Sequence, residues 1–397
     1  MTSPERLADP SEAVAAAHLL AGRLAERAAE HDRDGRFPEK DFADLRAAGL
    51  LGLMVPTRLG GPGAGFQDYA EVAMALAAGN GATALIFNMH ASVTGALAGT
   101  PDEMARALGV PESYFEMRDG VLTKAADGAL YAVAMSERGV GSRLSQLKTS
   151  YEPVDGGYRI TGSKTFVSAA GHADGYLVAA RRADQDPPVF SHFIVPAGEG
   201  LRVEETWDSL GMRATGSNEL HIDATVPEDA LLGGMEGLVL LLAQVMPQWL
   251  VASYAAVYVG VAQSAIDAAV EHAGERGLAR LPAVRARIGR ADAAVAAARL
   301  AVLEAADRID RAPGESDTNR WVWRAKLLAG QTAMDVAASM LEAAGTSASR
   351  RGHPLERIFR DARCGSLQPA TSDVCADWLG MAALGLDPEN AAEVSRW

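Results

Sequence analysis

A chain of 397 residues is long enough for more than one core, since single cores stop growing at roughly 250–300 residues. Its 48% hydrophobic and 22% charged content is that of a globular protein, and a net charge of −14 argues against nucleic-acid binding, which needs a basic footprint. Two cysteines, Cys364 and Cys375, with no CxxC pair argue against a disulfide framework or a metal site and suit a reducing compartment. The opening Met1-Thr-Ser-Pro-Glu-Arg has no apolar signal core, so a cytoplasmic location is expected.

In chain order, residues 11–35 repeat with helical periodicity, and Phe37-Pro38 ends that helix. A second helix is predicted over 40–48, stopped by Gly49. Leu59-Gly-Gly-Pro-Gly-Ala-Gly65 reads as a loop, and helices follow over 66–78 and 82–97, the latter carrying Asn88-Met89-His90. Thr100-Pro-Asp-Glu has the form of a capped helix start. At about residue 131 the pattern changes to strands: 131–135, 158–168, 175–181, 191–196, 201–205 and 219–225, with turn signals between them. From about 236 it is helical again, with long Ala-rich helices over 238–273, 281–311, 318–344 and 372–384. Residues 238–266 hold no charge and are long enough to cross a bilayer, but Gln244, Pro247, Gln248 and Gln263 point instead to a buried bundle helix. No membrane span is expected.

Two stretches carry most of the functional signal. Ala134-Met-Ser-Glu-Arg-Gly-Val-Gly-Ser142 is a strand running into a glycine-punctuated loop that lets the backbone approach a flat ligand. Tyr158-Arg-Ile-Thr-Gly-Ser-Lys-Thr-Phe-Val-Ser168 alternates with period two after the turn Asp155-Gly156-Gly157. Spacing alone also fits two strands of an ordinary barrel.

Ser136-Glu-Arg-Gly-Val-Gly-Ser-Arg143 resembles the Thr-Glu-Pro-x-Ala-Gly-Ser-Asp signature of the acyl-CoA dehydrogenase superfamily, and Gly162-Ser-Lys-Thr-Phe-Val-Ser168 is similar to its Gly-x-Lys-x-Trp/Phe-Ile-Thr/Ser strand. Phe37-Pro38, Gly49-Leu-Leu-Gly-Leu-Met-Val-Pro56 and Leu59-Gly-Gly-Pro-Gly63 stand in the order the family uses, as do Leu210-Gly-Met-Arg-Ala-Thr-Gly-Ser217, Val226-Pro and Gly345…Pro354-Leu-Glu-Arg…Arg360-Asp361. The resemblance implies an α+β multidomain fold: an N-terminal α-helical domain (1–130), a middle β-barrel domain (131–235) and a C-terminal four-helix bundle (236–397). It also implies FAD, held by Met135, Ser136, Gly141, Ser142, Phe166 and Ser168. Further contacts are implied from Arg276 and the turn Gly345, Thr346, Ser347, Ala348, often across a homodimer or homotetramer interface. Ser142, Arg213 and His90 are the substrate-side candidates. Arg213 is equally a solvated turn arginine, and His90 a packed histidine on an apolar helix.

The family's usual chemistry removes an α-proton from an acyl thioester while hydride passes to the flavin, so a carboxylate base is needed. The position of the usual Glu, nine residues after Arg360, is Pro369 here, and the alternative site on the first bundle helix, Gln248-Trp-Leu-Val-Ala252, has no acid. Asp373 and His90 are the remaining candidates, Asp373 also being a natural helix-start acid. The segment after Arg276 is about three residues shorter than the family's pattern. The expected activity is α,β-desaturation of an acyl thioester on CoA or a carrier protein. Two alternatives are a two-component flavin monooxygenase or oxidase on a small organic substrate, served by a flavin reductase, and a non-catalytic flavin-binding scaffold.

Overall fold

The computed structural model describes residues 7–140, 146–187, 189–238 and 246–388. Helices α1 (Pro10–Asp34), α2 (Glu39–Ala47), α3 (Phe66–Gly79), α4 (Gly81–Ala98), α5 (Asp102–Ala107) and α6 (Glu112–Ala126) come first. Asp9 starts α1 by accepting the amides of Ser11 and Glu12, and Gly35, at φ 63°, ends it. Thr100 does not cap α5; its hydroxyl donates back to the carbonyl of Ala96 instead. Helix α4 is buried on nearly every side, as an apolar sequence without a polar face requires, and it packs against α3 and the first strand.

Strands β1 (Tyr131–Ala134), β2 (Ser150–Val154), β3 (Gly157–Val167), β4 (Gly175–Arg182), β5 (Phe190–Pro196), β6 (Leu201–Glu204) and β7 (Asn218–Pro227) form one sheet. Its path is β1-β4-β2-β3-β7-β6, with β5 pairing β4. Strand β2 was not expected: Glu152, Pro153 and Val154 are exposed, so it has no alternating apolar signal, and it exists because β3 pairs with it.

The long strand β3 departs from simple alternation at its functional end. Lys164 pairs with Leu220 and Val167 with Asn218, so Thr165 and Phe166 together face the single residue Glu219. This is a β-bulge, and Phe166 takes φ 59° within it. The bulge turns Phe166 outward to 59% exposure, where strict period two would have half-buried it.

The last part is a bundle of α7 (Ala252–Glu275), α8 (Pro282–Arg311), α9 (Ser316–Ala344), α10 (Pro354–Arg363) and α11 (Ser372–Ala383), with α9 packed against the other four. The single helix expected over 238–273 is shorter. A 3-10 turn at Pro247–Trp249 precedes α7, and residues 239–245 lie outside the described residues. Among the described residues one helical stretch, Pro247–Glu275, is long and apolar enough to cross a membrane, and 78% of its most apolar window is buried inside the fold. Helix α10 was not predicted from its short, charge-rich sequence; Pro354 at its start and the buried Leu355, Ile358 and Ala362 fix it.

Candidate functional site

The bulge of β3 forms one wall of a cleft of about 430 Å3, whose other walls are Glu137, Arg138, Gly139, Val140, Thr206, Trp207 and Ser217. Thr165 at the bulge donates its amide to the carbonyl of Ser136 at 2.9 Å, which ties the two sequence motifs together. Phe166 and Trp207 meet edge to face at 6.0 Å and 87°, leaving exposed aromatic surface at the mouth. Behind it run three hydroxyls. Thr215 Oγ1 donates to the carbonyl of Met212 at 2.9 Å and lies 2.7 Å from Ser217 Oγ, which lies 3.0 Å from Ser168 Oγ. Each hydroxyl has one proton. With Thr215 donating to Met212, Ser217 donates to Thr215 and Ser168 to Ser217, so the free lone pairs of Ser168 end the chain. Exposed aromatic surface beside a hydroxyl acceptor fits a flat heteroaromatic ring with an N–H on its edge.

The cleft floor is fixed by a buried ion pair. Lys164 Nζ lies 2.9 Å from Glu137, with side-chain exposures of 0% and 4%. Burial lowers the Lys164 ammonium to about 8, against the pull of Glu137. Burial raises the Glu137 carboxyl, but Lys164 and the amides of Thr149 and Lys148 outweigh it and hold the acid below its ordinary range. Lys164 also donates to the carbonyl of Met135 at 3.2 Å.

Met135, whose carbonyl Lys164 holds, lines a second, apolar cavity of about 130 Å3. The cavity lies between α4, α5, β1, β4, β5 and the Pro247–Trp249 turn, with Gly95, Leu97, Leu177, Leu238 and Trp249 among its walls. Its described lining contains neither Asp nor Glu.

The sequence-predicted residues separate into groups. Met135, Ser136, Phe166 and Ser168 lie at or beside the cleft, while Gly141 and Ser142 lie outside the described residues. His90 is buried, with Nε2 2.7 Å from the Leu51 carbonyl and Nδ1 3.0 Å from the Tyr131 amide. Nδ1 therefore accepts and Nε2 donates, and burial lowers the imidazole to about 4. Both nitrogens are committed to joining α4 to its neighbours. Arg213 donates to the carbonyls of Asp32 and Ser209 and pairs with Asp208 at 3.1 Å.

Asp373 is exposed in the first turn of α11, which Thr371 caps; it lines neither cavity. Pro369 follows Gln368, whose side-chain carbonyl accepts from Tyr258 at 2.6 Å. Lys326 fills the space nearby, donating to the carbonyls of Gly365 at 2.8 Å and Gln368 at 3.3 Å. Arg276 is exposed at the end of α7, and Gly345 takes φ 77° at the end of α9. Beyond it Ser347 lies 3.5 Å from His272, Thr346 is exposed and Ala348 is fully buried. Neither cavity includes that turn or Arg276.

Sequence reasoning missed Trp207, Lys164 and His192. Trp207 and His192 have no spacing signal, being brought in by β6–β7 and β5. Lys164 was visible as an inward position of a half-buried strand, which makes a lysine conspicuous.

Three family models cover most of the chain: the acyl-CoA dehydrogenase N-terminal domain over residues 13–109, the middle domain over 132–225 and the C-terminal domain over 252–371. L-evernosamine nitrososynthase of a Micromonospora species is 32% identical, over 94% of this chain and 90% of that protein. YdbM of Bacillus subtilis, named provisionally as an acyl-CoA dehydrogenase, is 30% identical over 89% of this chain and 92% of that protein. A solved structure of KijD3 with FMN and a dTDP-linked amino sugar has a TM-score of 0.82 at 27% identity, covering 100% of this chain and 99% of that one. The chain belongs to the acyl-CoA dehydrogenase family, with that family's helical, sheet and helical-bundle parts in order.

Proposed function

We propose that this protein is a flavin-dependent monooxygenase that oxygenates a small, largely apolar organic substrate, using reduced flavin from a separate reductase. The protein is a flavin-dependent oxidoreductase of the acyl-CoA dehydrogenase family. The observation that carries the finer reading is the apolar cavity beside Met135, whose described lining has no carboxylate, together with Pro369 at the family's base position. Desaturation needs a base within hydrogen-bond reach of the α-carbon proton. Oxygenation needs none.

Reduced flavin, when bound, supplies two electrons, so that with two protons one atom of O2 enters the substrate and the other leaves as water. The chain's own residues do the rest. Phe166 and Trp207 would give the ring apolar walls, and Ser168, at the end of the hydroxyl chain, would accept from a ring N–H. Trp249, Leu97 and Leu177 keep water from the reacting side. FAD and FMN share the ring and first phosphate, so this cleft serves both. A homodimer or homotetramer completes the proposal, with Arg276 and the Gly345–Ala348 turn, absent from the lining of the chain's own cleft, offered to a neighbour's flavin.

That a nitrososynthase and a dibenzothiophene monooxygenase at 28% identity are among the relatives supports an oxygenating reading. The test supplies the protein with photoreduced FMN or FAD, 18O2 and indole, and reads the product by mass spectrometry. One 18O atom per oxidised indole is expected. Product carrying oxygen from water, at the yield free reduced flavin gives alone, would refute the assignment.

A further inference from the structure

We propose that His192 is the polar anchor of the apolar cavity: it orients a ligand that is apolar except for one hydrogen-bonding heteroatom. This rests on the cavity being the substrate site, the reading proposed above. His192 sits on β5 opposite Ala179 of β4, with 2% exposure. The next residue, Phe193, faces the other side of the sheet and packs on Tyr151 at 4.8 Å. Alternation thus sends the imidazole into the cavity, which it lines.

What singles it out is that neither Nδ1 nor Nε2 has a hydrogen-bond partner, although both atoms are buried. A buried polar group left unpaired is costly, and native proteins rarely tolerate one without reason. The Ser92 hydroxyl has its one proton between the carbonyls of Asn88, at 2.8 Å, and Trp249, at 3.0 Å, and the Thr100 hydroxyl donates to Ala96. Two further polar side chains line the cavity, Tyr114 and Gln248, but unlike His192 neither is among the buried atoms left without a partner. The apolar neighbours Leu97, Leu177 and Leu232 offer nothing to hydrogen-bond.

Burial, helped by the nearby Lys164 charge, lowers the imidazole to about 4, so it is neutral at neutral pH. A neutral imidazole has one donor and one acceptor and can choose its tautomer. It therefore suits a ligand N–H, a ring oxygen or a carbonyl equally, and discriminates against a pure hydrocarbon. The cavity, at about 130 Å3, is near the size that accepts a benzene-like ring, since an apolar cavity of about 150 Å3 binds benzene.

The test compares three probes of nearly one shape: indole with an N–H donor, benzofuran with an oxygen acceptor, and indene with neither. Affinities are measured by titration calorimetry on the full chain without added flavin. Indole and benzofuran should bind roughly 10-fold more tightly than indene, the usual return of one buried hydrogen bond. His192→Leu should bring the three to parity by weakening the first two while indene is unchanged or improved. His192→Gln, which keeps a donor and an acceptor, should restore part of the preference. Circular dichroism spectra at neutral pH select variants that retain the native fold.

Three equal affinities in the wild type would overturn the proposal and mean that a resident water serves His192. A preference that survives His192→Leu, or no binding of any probe, would overturn it as well. Because flavin and O2 are absent, a positive result stands even if oxygenation fails. Likewise, 18O transfer without a polar preference would sink His192 and leave the oxygenase reading standing.

Discussion

Lys164 and Glu137 meet 2.9 Å apart with both side chains almost wholly buried, one from the middle of β3 and the other from the loop after β1. The pair locks together the two sequence motifs that build the cleft. Breaking one partner of a buried pair leaves an uncompensated charge, at a cost of roughly 3–5 kcal/mol. Lys164→Met alone should therefore lower unfolding stability by about that amount, and Glu137→Gln by a similar one. The double variant should recover at least half of the summed loss. Urea unfolding at pH 7 measures all three; strict additivity would show that the pair is uncoupled.

Phe166 is exposed by the bulge, so its side chain contributes little to the core. Phe166→Ala should change the unfolding free energy by no more than about 0.5 kcal/mol, as for surface substitutions generally, while weakening flavin binding at least 10-fold. Ser168→Ala should weaken flavin binding by roughly 5–10-fold, since it removes the last acceptor of the hydroxyl chain. Fluorescence titration with FMN and FAD reads both. Unchanged affinities would place the flavin elsewhere.

Gly95 has no room for a side chain: a Cβ there would lie 2.1 Å from the ring of Trp249. Gly95→Ala must push the indole aside, and overpacking of this kind costs about 1–3 kcal/mol. Trp249 also walls the apolar cavity, so the same substitution should reduce indole binding while leaving flavin affinity unchanged. Equal loss of both ligands would mean that the change propagates through the whole N-terminal part.

His90 provides a test by pH. Its unfolded imidazole takes a proton near 6.5, its folded one only near 4. Between those values protons favour the unfolded chain, so this group's stability contribution is lost as pH falls from 6.5 toward 4. His90→Gln should be less stable than wild type at pH 7, because the Leu51 and Tyr131 bonds are disturbed. Its deficit should shrink by about 2 kcal/mol at pH 5. Taking the difference between the two proteins cancels Asp361, whose burial raises it to about 6 and whose contribution has the opposite sign. A deficit that stays constant would show that His90 is protonated normally.

The fold was legible because its determinants are local and repeated. Long Ala/Leu periodicities place α1, α8 and α9 within one or two residues, and the strand runs around Ile160, Val178 and Ile194 stand where the strand-like runs and the turn signals between them predict. What was hidden depends on partners distant in sequence. Strand β2 has no pattern of its own and is defined by β3. The outward turn of Phe166 arises from one extra residue in β3, set against Glu219 about fifty residues later. The role of His90 became visible with the Leu51 carbonyl and the Tyr131 amide, both about 40 residues away. The lack of a carboxylate at the family's usual base position was readable directly, because Pro369 occupies a countable position. What the sequence did not reveal was Tyr258, Gln368 and Lys326 filling the neighbourhood with neutral and cationic groups.

The most direct test of the central claim is anaerobic spectroscopy of the protein loaded with oxidised flavin, titrated with acyl-CoAs from butyryl to palmitoyl. A cavity without a carboxylate at the α-carbon predicts that the flavin band keeps its full absorbance with every thioester. Bleaching of that band with formation of the matching enoyl-CoA would contradict the account and make the protein a desaturating dehydrogenase with a base outside the residues described.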